Sequence, residues 1–313
     1  MSISPFSFHP IYMERVWGGE NLTKVYKREI PATKKPCGES WEVVDRGLVQ
    51  SVVKSGRYAG LTLSELWSNY REEVFGSNLP QSKNFPLLFK ILDCQEDLSI
   101  QVHPPKSVAD KLNSEAKSEL WYIVDVKSGA KIYVGLKEKV SPEEFRKSIE
   151  AGNVSEQIHS IEPKVGDSIY LESGRIHAIG AGLLIFEIQQ NSDTTYRVCD
   201  WNRLGLDGKP RPLHIDESIQ SIDFNDVKPS MDCITGEEII NCEHFNVSRK
   251  VRNKGELLVF EKDTFAVLSI IRGVVINQDK ETFVAGDTIF VPSNSSNMLT
   301  LERVTYLHTS LSV

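Results

Sequence analysis

Two histidines, a glutamate and a glutamine in this chain of 313 residues have the spacing of metal ligands carried by β-strands. Gln101 and His103 are two residues apart, so on a strand their side chains point to the same face. Glu119 precedes the apolar run Leu-Trp-Tyr-Ile-Val, and His177 ends a segment that begins at Gly166. Two imidazoles, a carboxylate and an amide can hold a divalent metal ion and leave a position for a substrate oxygen. The spacing therefore predicts a metal-dependent enzyme.

The segment from Gly166 to His177 resembles the second metal-binding motif of the cupins, G-x5-P-x-G-x2-H, with Glu172 at the proline position. The resemblance implies that the ligands lie on the inward faces of a small β-barrel. The other histidines have no partner at metal spacing, and we interpret them as structural or exposed: His9, His159, His214, His244 and His308.

The metal and the carboxylate ligand each have an alternative. Two histidines and one carboxylate also form the facial triad of Fe(II) oxygenases, but Gln101 as a fourth ligand favours a redox-silent Zn²⁺. Glu115 lies four residues before Glu119 and competes with it for the ligand role. Glu119 begins an apolar strand, whereas Glu115 lies in a helical-looking stretch, residues 106–117, and this contrast favours Glu119.

Short β-runs separated by Gly, Pro, Asp and Ser turns supply the strands that would position these ligands. Strands this short and this frequent are typical of a β-sandwich or barrel. We predict a mostly β protein, a cupin-type jelly-roll barrel with a few covering helices. The predicted strands include 41–45, 87–92, 98–103, 120–126, 131–134, 167–171, 183–189 and 265–271.

Three helices are predicted to cover the barrel, and we assign them no chemistry. Apolar residues recur at helical spacing from Leu63 to Val74, and Gly76 ends the pattern. Ser141-Pro-Glu-Glu is a capping box with proline at the first helical position. The third predicted helix covers residues 215–222.

Composition and charge exclude several classes of function. Hydrophobic residues make up 40% of the chain and charged residues 25%, as in ordinary globular proteins. The net charge of −7 argues against a nucleic-acid partner, because no basic stripe is present to neutralise phosphates. No apolar run reaches the ~20 residues that span a bilayer, and the N-terminus lacks the pattern of a signal peptide. The five cysteines are an odd number without a C-x-x-C pair, so we predict reduced thiols and a cytoplasmic protein.

A polar linker at residues 224–233 divides the sequence into two predicted domains. Residues 1–230 would form a catalytic zinc-binding cupin domain. Residues 231–313 would form a smaller β domain that resembles a cupin without metal ligands.

The C-terminal part contains an echo of the metal-binding segment. The run from Gly286 to Asn297 aligns with the run from Gly166 to His177, and each has a Gly-Asp turn followed by a strand of five residues. The histidine that ends the first run is an asparagine in the second. We interpret the echo as a sign of two related β-folds, of which one holds metal.

A series of motifs over most of the chain resembles the type I mannose-6-phosphate isomerases in their short bacterial form. Each motif is weak alone, but their order and separations are specific. The motifs are Trp17-Gly18, Gly38-Glu-Ser-Trp-Glu42, Phe85-Pro-Leu-Leu-Phe-Lys90, Leu98-Ser-Ile-Gln-Val-His-Pro104, Lys117-Ser-Glu-Leu-Trp-Tyr122, Gly174-Arg-Ile-His-Ala-Ile-Gly180 and Glu187-Ile-Gln-Gln-Asn-Ser-Asp-Thr-Thr-Tyr-Arg197. The chain departs from longer members in lacking their helical domain, and it has Cys199 where short relatives often have an aromatic residue.

The resemblance implies roles for individual side chains. Four match the zinc ligands of the family, which implies one Zn²⁺ per chain: Gln101, His103, Glu119 and His177. Four match catalytic or cleft residues, the first being the arginine assigned to the active site: Arg197, Lys117, Asp193 and Glu187. Two match positions near the substrate's phosphate: Ser99 and Lys90.

The implied reaction interconverts mannose 6-phosphate and fructose 6-phosphate by moving a proton between C1 and C2 through a cis-enediol. Zinc as a Lewis acid and the Arg197 guanidinium would stabilise negative charge on the sugar oxygens. A general base must carry the proton, and His103, Lys117, Glu187 and Asp193 all stay candidates. The predicted partner is thus a small sugar phosphate, and the sequence carries no signal for oligomeric state. A non-catalytic sugar-binding cupin and a cupin Fe(II) dioxygenase are the alternatives.

Overall fold

The computed structural model describes residues 2–31 and 36–312, and the fold is mostly β, with 39% strand and 14% helix. The predicted fold class is confirmed. The described residues pack into two compact units. Unit 1 comprises Met1–Ile11, Trp41–Phe89 and Cys233–Val313, and unit 2 comprises Tyr12–Ser40 and Lys90–Asp232.

The boundary after Asp232 lies within the polar linker that the sequence indicates at 224–233. Residues 1–11 and 41–89 nevertheless belong to the same compact unit as the C-terminal part. The division into independent domains 1–230 and 231–313 stays a prediction.

Strands are short throughout the described residues. In chain order they are β1 (Phe6–Ser7), β2 (Ile11–Gly19), β3 (Cys37–Val43), β4 (Asp45–Arg46), β5 (Val49–Gln50), β6 (Leu87–Cys94), β7 (Ile100–Val102), β8 (Glu119–Val126), β9 (Ile132–Leu136), β10 (Ile158–Ile161), β11 (Ser168–Leu171), β12 (His177–Ile179), β13 (Leu183–Gln190), β14 (Tyr196–Cys199), β15 (Glu238–Asn241), β16 (Phe245–Arg252), β17 (Leu257–Leu258), β18 (Ala266–Arg272), β19 (Val275–Ile276), β20 (Thr282–Phe283), β21 (Thr288–Val291), β22 (Met298–Thr300) and β23 (Val304–Leu311). Each strand predicted from the β-runs has an observed counterpart with ends shifted by a few residues.

Helices are equally short. In the described residues they are α1 (Asn21–Lys24), α2 (Leu63–Asn69), α3 (Arg71–Phe75), α4 (Lys106–Leu112), α5 (Pro142–Glu150), a 3₁₀ helix (Val154–Gln157) and α6 (Ile215–Ser221). None of the described helices is long and apolar enough to cross a membrane.

Two of the three helix predictions are confirmed, and the other is wrong in one respect. The capping box of α5 is present, because Ser141 Oγ accepts from the Glu144 N–H at 3.2 Å and the Glu144 carboxylate accepts from the Ser141 N–H at 2.9 Å. Helix α6 lies where it was predicted. The single helix predicted from Leu63 to Val74 is two, because Tyr70 leaves the helical conformation at φ −127° and ψ 28°.

The jelly roll of unit 2 is built from two sheets. One sheet has six strands in the order β11-β8-β13-β6-β3-β2, and the other has five in the order β10-β9-β12-β7-β14. In the six-stranded sheet, residue 11 of β2, residues 41–43 of β3 and residues 87–89 of β6 are assigned to unit 1. Trp121 and Ile123 of β8 share one apolar cluster with Val134 of β9 and Ile179 of β12, so side chains of the two sheets meet in the core. Burying each such side chain contributes about 1.5–3 kcal/mol relative to exposure.

Unit 1 also contains two sheets, one with six strands in the order β1-β21-β18-β23-β16-β15 and one with four in the order β17-β22-β19-β20. Aromatic rings fill much of its interior. The rings of Phe265 and Phe290 stack with centroids 5.4 Å apart, and Phe75 meets Phe265 edge-on at 5.4 Å. Such pairs contribute about 0.5–1.5 kcal/mol beyond the burial of their area.

The strand pairing of unit 1 repeats that of unit 2. In unit 2, β8 pairs with β11 and β13, while β12 pairs with β7 and β9. In unit 1, β18 pairs with β21 and β23, while β22 pairs with β17 and β19. The sequence echo is therefore the most visible part of a repeated topology.

Candidate active site

Strands of both sheets of unit 2 bring the predicted metal ligands together. His177, the first residue of β12, lies directly opposite Gln101 of β7. His103 follows the end of β7, and Glu119 is the first residue of β8. The apolar run after Glu119 is buried in the core, which fixes the glutamate at the end of its strand.

Three of these side chains converge in the interior. The Nε2 atoms of His103 and His177 each lie 3.5 Å from one oxygen of the Glu119 carboxylate. One ligand atom from each of the three residues lies within 4.8 Å of the others, and all three residues are buried. Glu119, and not Glu115, is therefore the carboxylate that accompanies the histidines.

Backbone carbonyls set the protonation of both rings. His103 Nδ1 lies 2.8 Å from Thr194 O, and His177 Nδ1 lies 2.9 Å from Arg175 O. A carbonyl can only accept, so Nδ1 carries the proton in each ring and Nε2 presents a lone pair to Glu119. Burial lowers the pKa of His103 to about 4 and also lowers the pKa of His177, which keeps both rings neutral near pH 7.

The charge at the centre of this cluster is negative. Burial alone would raise the pKa of Glu119, but the Lys117 ammonium and His103 hold it well below its usual range. Glu119 Oε1 and His103 Nε2 are buried and accept no hydrogen bond from the part of the chain that the structure describes. Buried polar atoms without partners are costly, and a divalent cation between them would satisfy both. The donor set of two neutral imidazoles and a carboxylate fits zinc.

Gln101 lies beside the three residues, with its amide turned away from a ligand role. Its Nε2 lies 3.4 Å from His177 Nε2, and its Oε1 accepts a hydrogen bond from Ser99 Oγ at 3.3 Å. To act as a ligand, Gln101 would present Oε1 in place of Nε2. Ser99, predicted near the phosphate, is thus next to the metal ligands.

Two buried lysines of the site are each paired with a carboxylate. Lys117 Nζ lies 2.6 Å from Glu119 Oε2, and Lys90 Nζ donates to Glu187 Oε1 at 2.9 Å. Glu187 Oε2 also accepts from Trp121 Nε1 at 3.1 Å. Burial acts to lower the pKa of Lys90, but the nearby carboxylates, Glu187 first, outweigh it and raise the pKa above its ordinary value. The role of Lys90 in phosphate binding stays a prediction.

Arg197 lies on β14 directly opposite Gln101 of β7. Its Nη1 donates to Pro212 O at 2.9 Å, and its Nε is buried without a hydrogen-bond partner among the described residues. No ion pair joins Arg197 to Asp193 in the described part of the chain. The Asp193 carboxylate is exposed instead.

A cavity of about 560 Å³ in unit 2 connects these groups. It is lined by seven of the ten predicted site residues: Lys90, Ser99, Gln101, Lys117, Glu187, Asp193 and Arg197. The cavity wall also includes residues for which no role was predicted, among them Arg15, Glu39 and Arg211. Glu39 stands in a motif quoted above, and its carboxylate holds Arg15 through two hydrogen bonds of 2.9 and 3.0 Å. Nothing in the local sequence around Arg211 points to a site.

Comparisons with known proteins identify the family. A model of the type I phosphomannose isomerase catalytic domain matches residues 6–132. Mannose-6-phosphate isomerase ManA of Bacillus subtilis is 37% identical over 305 residues, which covers 93% of this chain and 94% of that protein. The chain belongs to the type I phosphomannose isomerase family. A second member of the family, the mannose-6-phosphate isomerase of Streptococcus mutans, is 35% identical and covers 90% of each chain.

Solved phosphomannose isomerases share the fold. The crystal structure of mannose 6-phosphate isomerase from Bacillus subtilis superposes with a TM-score of 0.86 and 31% identity, covering 98% of this chain and 99% of that one. A mutant phosphomannose isomerase from Salmonella typhimurium gives a TM-score of 0.80 at 16% identity, covering 99% of this chain and 100% of that one, and this likeness concerns the fold alone.

Proposed function

We propose that this protein is a zinc-dependent isomerase that interconverts mannose 6-phosphate and fructose 6-phosphate through a cis-enediol. The observation that carries the proposal is the buried group of His103, Glu119 and His177, whose unpartnered atoms face one another beside a polar cavity. Family membership supports the substrate, since the named relatives are mannose-6-phosphate isomerases. The cytoplasmic location stays a prediction.

The two histidines and Glu119 would hold the zinc ion, with Gln101 as a fourth ligand. Bound there, the ion would supply Lewis-acid polarisation of the sugar oxygens at C1 and C2. Lys117 keeps Glu119 ionised through its contact at 2.6 Å. Arg197, with an Nε that lacks a partner among the described residues, would donate to an oxygen that gains negative charge during the reaction.

We propose Asp193 as the general base. Of the four candidates, His103 would be a metal ligand, and Lys117 is engaged by the Glu119 carboxylate at 2.6 Å. Both Glu187 oxygens are engaged, one by Lys90 and one by Trp121. The Asp193 carboxylate lines the cavity and makes no hydrogen bond or ion pair to the other described residues, so it is available to take the proton from one carbon and return it to the next.

The direct test of the function is a coupled assay of the purified protein with mannose 6-phosphate and with fructose 6-phosphate. Activity is expected to disappear after chelation and to return with zinc, including under anaerobic conditions. Activity that survives confirmed metal removal would contradict the proposal. A requirement for oxygen would favour the dioxygenase, and sugar binding without turnover would favour the non-catalytic cupin.

The base assignment predicts a specific loss in Asp193→Asn. We expect kcat to fall by about 10²–10⁴, because proton transfer by a positioned base is worth that factor. Exchange of solvent deuterium into C2 of the sugar should fall with it, while zinc content stays at the wild-type level. Asp110→Asn, a change at an exposed aspartate of α4, is the matched control. Undiminished deuterium exchange in Asp193→Asn would assign the base elsewhere.

A further inference from the structure

Three charged side chains after β14 form a cluster at the cavity wall. Asp200 is 6% exposed and accepts from two arginines. Arg211 donates two hydrogen bonds to the Asp200 carboxylate, one of them from Nε to Oδ2 at 2.7 Å. Arg203 donates to Oδ1 from Nε at 3.1 Å and from Nη2 at 3.0 Å. Two guanidinium groups therefore share the Asp200 carboxylate, and Arg203 has a further carboxylate partner in Glu96 at 3.9 Å.

Arg197 adds a further positive charge at this place. Burial lowers the pKa of its guanidinium, and Arg211 acts in the same direction, whereas Asp200 acts to raise it. The structure gives Arg197 no carboxylate partner among the described residues, and its Nη1 donates only to the Pro212 carbonyl. Both Arg197 and Arg211 line the cavity.

The other cations of the same cavity are already neutralised. Lys90 is paired with Glu187, Lys117 with Glu119, and Arg15 with Glu39. Arg197 is thus the lining cation without a carboxylate partner among the described residues, and Arg211 lies in the same wall, which also carries the carboxylates of Glu14, Asp193 and Asp207. A dianion that enters the cavity gains most by directing its charge to these two guanidinium groups, whose planar forks suit phosphate oxygens.

We propose that Arg211, held in place by Asp200, forms with Arg197 the subsite for the phosphate group of the substrate. This inference rests on the proposed function. It assigns to Asp200 the part of a positioning residue, since its two oxygens fix the direction of the Arg211 fork. Lys90 then serves to hold Glu187 and does not contact phosphate.

Replacement of Arg211 by glutamine tests the subsite. In zinc-loaded Arg211→Gln, KM for mannose 6-phosphate should rise about tenfold to a hundredfold, the loss expected for one charge-assisted hydrogen-bonding group, with a smaller change in kcat. Inhibition by inorganic phosphate should weaken by a similar factor. The matched control is Arg146→Gln, which also breaks an arginine–aspartate pair, to Asp216 at 2.6 Å, but lies outside the cavity wall. KM and phosphate inhibition should keep their wild-type values in the control.

Failure of the subsite and failure of the function give different results. Wild-type turnover combined with an unchanged KM and unchanged phosphate inhibition in Arg211→Gln would overturn the subsite alone, as would an equal rise of KM in Arg146→Gln. A wild-type protein without isomerase activity would overturn the function. Calorimetric titration of the metal-free protein with inorganic phosphate would then still test the subsite, with binding expected in the wild type and a tenfold or greater loss in Arg211→Gln.

Asp200→Asn separates positioning from a purely structural role. The change keeps the Arg211 charge but weakens the hydrogen bonds that hold the guanidinium in place, so KM should rise while kcat changes little. The double variant Asp200→Asn, Arg211→Gln should have nearly the KM of Arg211→Gln alone. If the free-energy costs calculated from the KM increases of the two single variants add fully in the double variant, the positioning role of Asp200 is contradicted. If Asp200→Asn fails to fold, Arg211→Lys takes its place, because lysine keeps the charge and loses the paired hydrogen bonds; an unchanged KM there would equally contradict the role.

Discussion

Two hairpins have the same turn and different chemistry. One leads to His177 in unit 2, and the other leads to Asn297 in unit 1. Gly166 and Gly286 have φ values of +92° and +94°. The carboxylate of Asp167 accepts from the Lys164 N–H at 2.7 Å, and that of Asp287 accepts from the Val284 N–H at 2.8 Å. The turn is therefore a feature of the fold and not of the site.

The two units diverge at the positions where unit 2 carries ligands. Leu171 pairs with Glu119, and the corresponding residue of unit 1, Val291, pairs with Ala266. Alanine thus stands where the carboxylate would be, and Asn297 stands where the second histidine would be. One topology carries the candidate metal ligands in unit 2 and an alanine and an asparagine at the corresponding positions in unit 1, which illustrates that function belongs to the site and not to the fold.

The largest expected effect comes from giving unit 2 the residues of unit 1. Glu119→Ala and His177→Asn copy Ala266 and Asn297, and each should reduce zinc from one ion per chain towards none. Isomerase activity should fall by at least about a thousandfold, because a Lewis-acid metal supplies several kcal/mol of transition-state stabilisation. Elemental analysis and the coupled assay measure the two effects.

The reverse change provides the control for this conversion. Asn297→His restores one histidine in unit 1 but leaves Ala266 in the carboxylate position, so zinc content and activity should equal those of the wild type. A second zinc ion in Asn297→His, or a full complement of zinc in Glu119→Ala, would show that the comparison misassigns the ligands.

A half-buried histidine in unit 1 and a buried histidine in unit 2 sharpen the comparison through pH. Burial, and then Lys250, lower the pKa of His308 in β23 to about 4, as burial does for His103 in unit 2. Because the folded pKa lies below the ordinary value of 6.5, the folded protein binds fewer protons than the unfolded chain between these values. His308 therefore lowers the stability as pH falls from about 6.5 towards 4.

His308→Gln should remove this dependence without touching the metal site. Between pH 7.5 and pH 5 the free energy of unfolding should fall by about 2 kcal/mol less in the variant than in the wild type. Urea unfolding at the two pH values measures the difference, and activity at neutral pH should be unaffected. If both proteins lose stability equally on acidification, His308 does not titrate as its burial implies.

Much of the fold and the grouping of His103, Glu119 and His177 could be predicted because they depend on local patterns. Strand periodicity located the β-runs, and the two-residue spacing predicted that His103, just after β7, lies on the same side as Gln101. The start of β8 at Glu119 resolved the competition with Glu115. Helix α5 followed from a capping box, which is a short-range signal.

The remainder depends on contacts between distant parts of the chain. The grouping of residues 41–89 with the C-terminal strands has no signature in either segment. Arg211 and Asp200 lie in a loop, and their hydrogen bonds depend on the conformation of that loop at the cavity, which no local sequence pattern indicates. Tyr70 divides α2 from α3 although the apolar pattern continues across it.

The smallest expected effect concerns the turn that both units share. Gly166→Ala and Gly286→Ala force a side chain into a backbone region with positive φ, so each should lower the free energy of unfolding by about 1–2 kcal/mol. Val165→Ala, a change at an exposed neighbour, should stay within about 0.5 kcal/mol of the wild type. Equal costs at the two glycines would agree with a turn kept for the hairpin alone. A loss of zinc in Gly166→Ala would instead mean that the turn of unit 2 also positions His177, and the likeness of the two hairpins would then end at the turn.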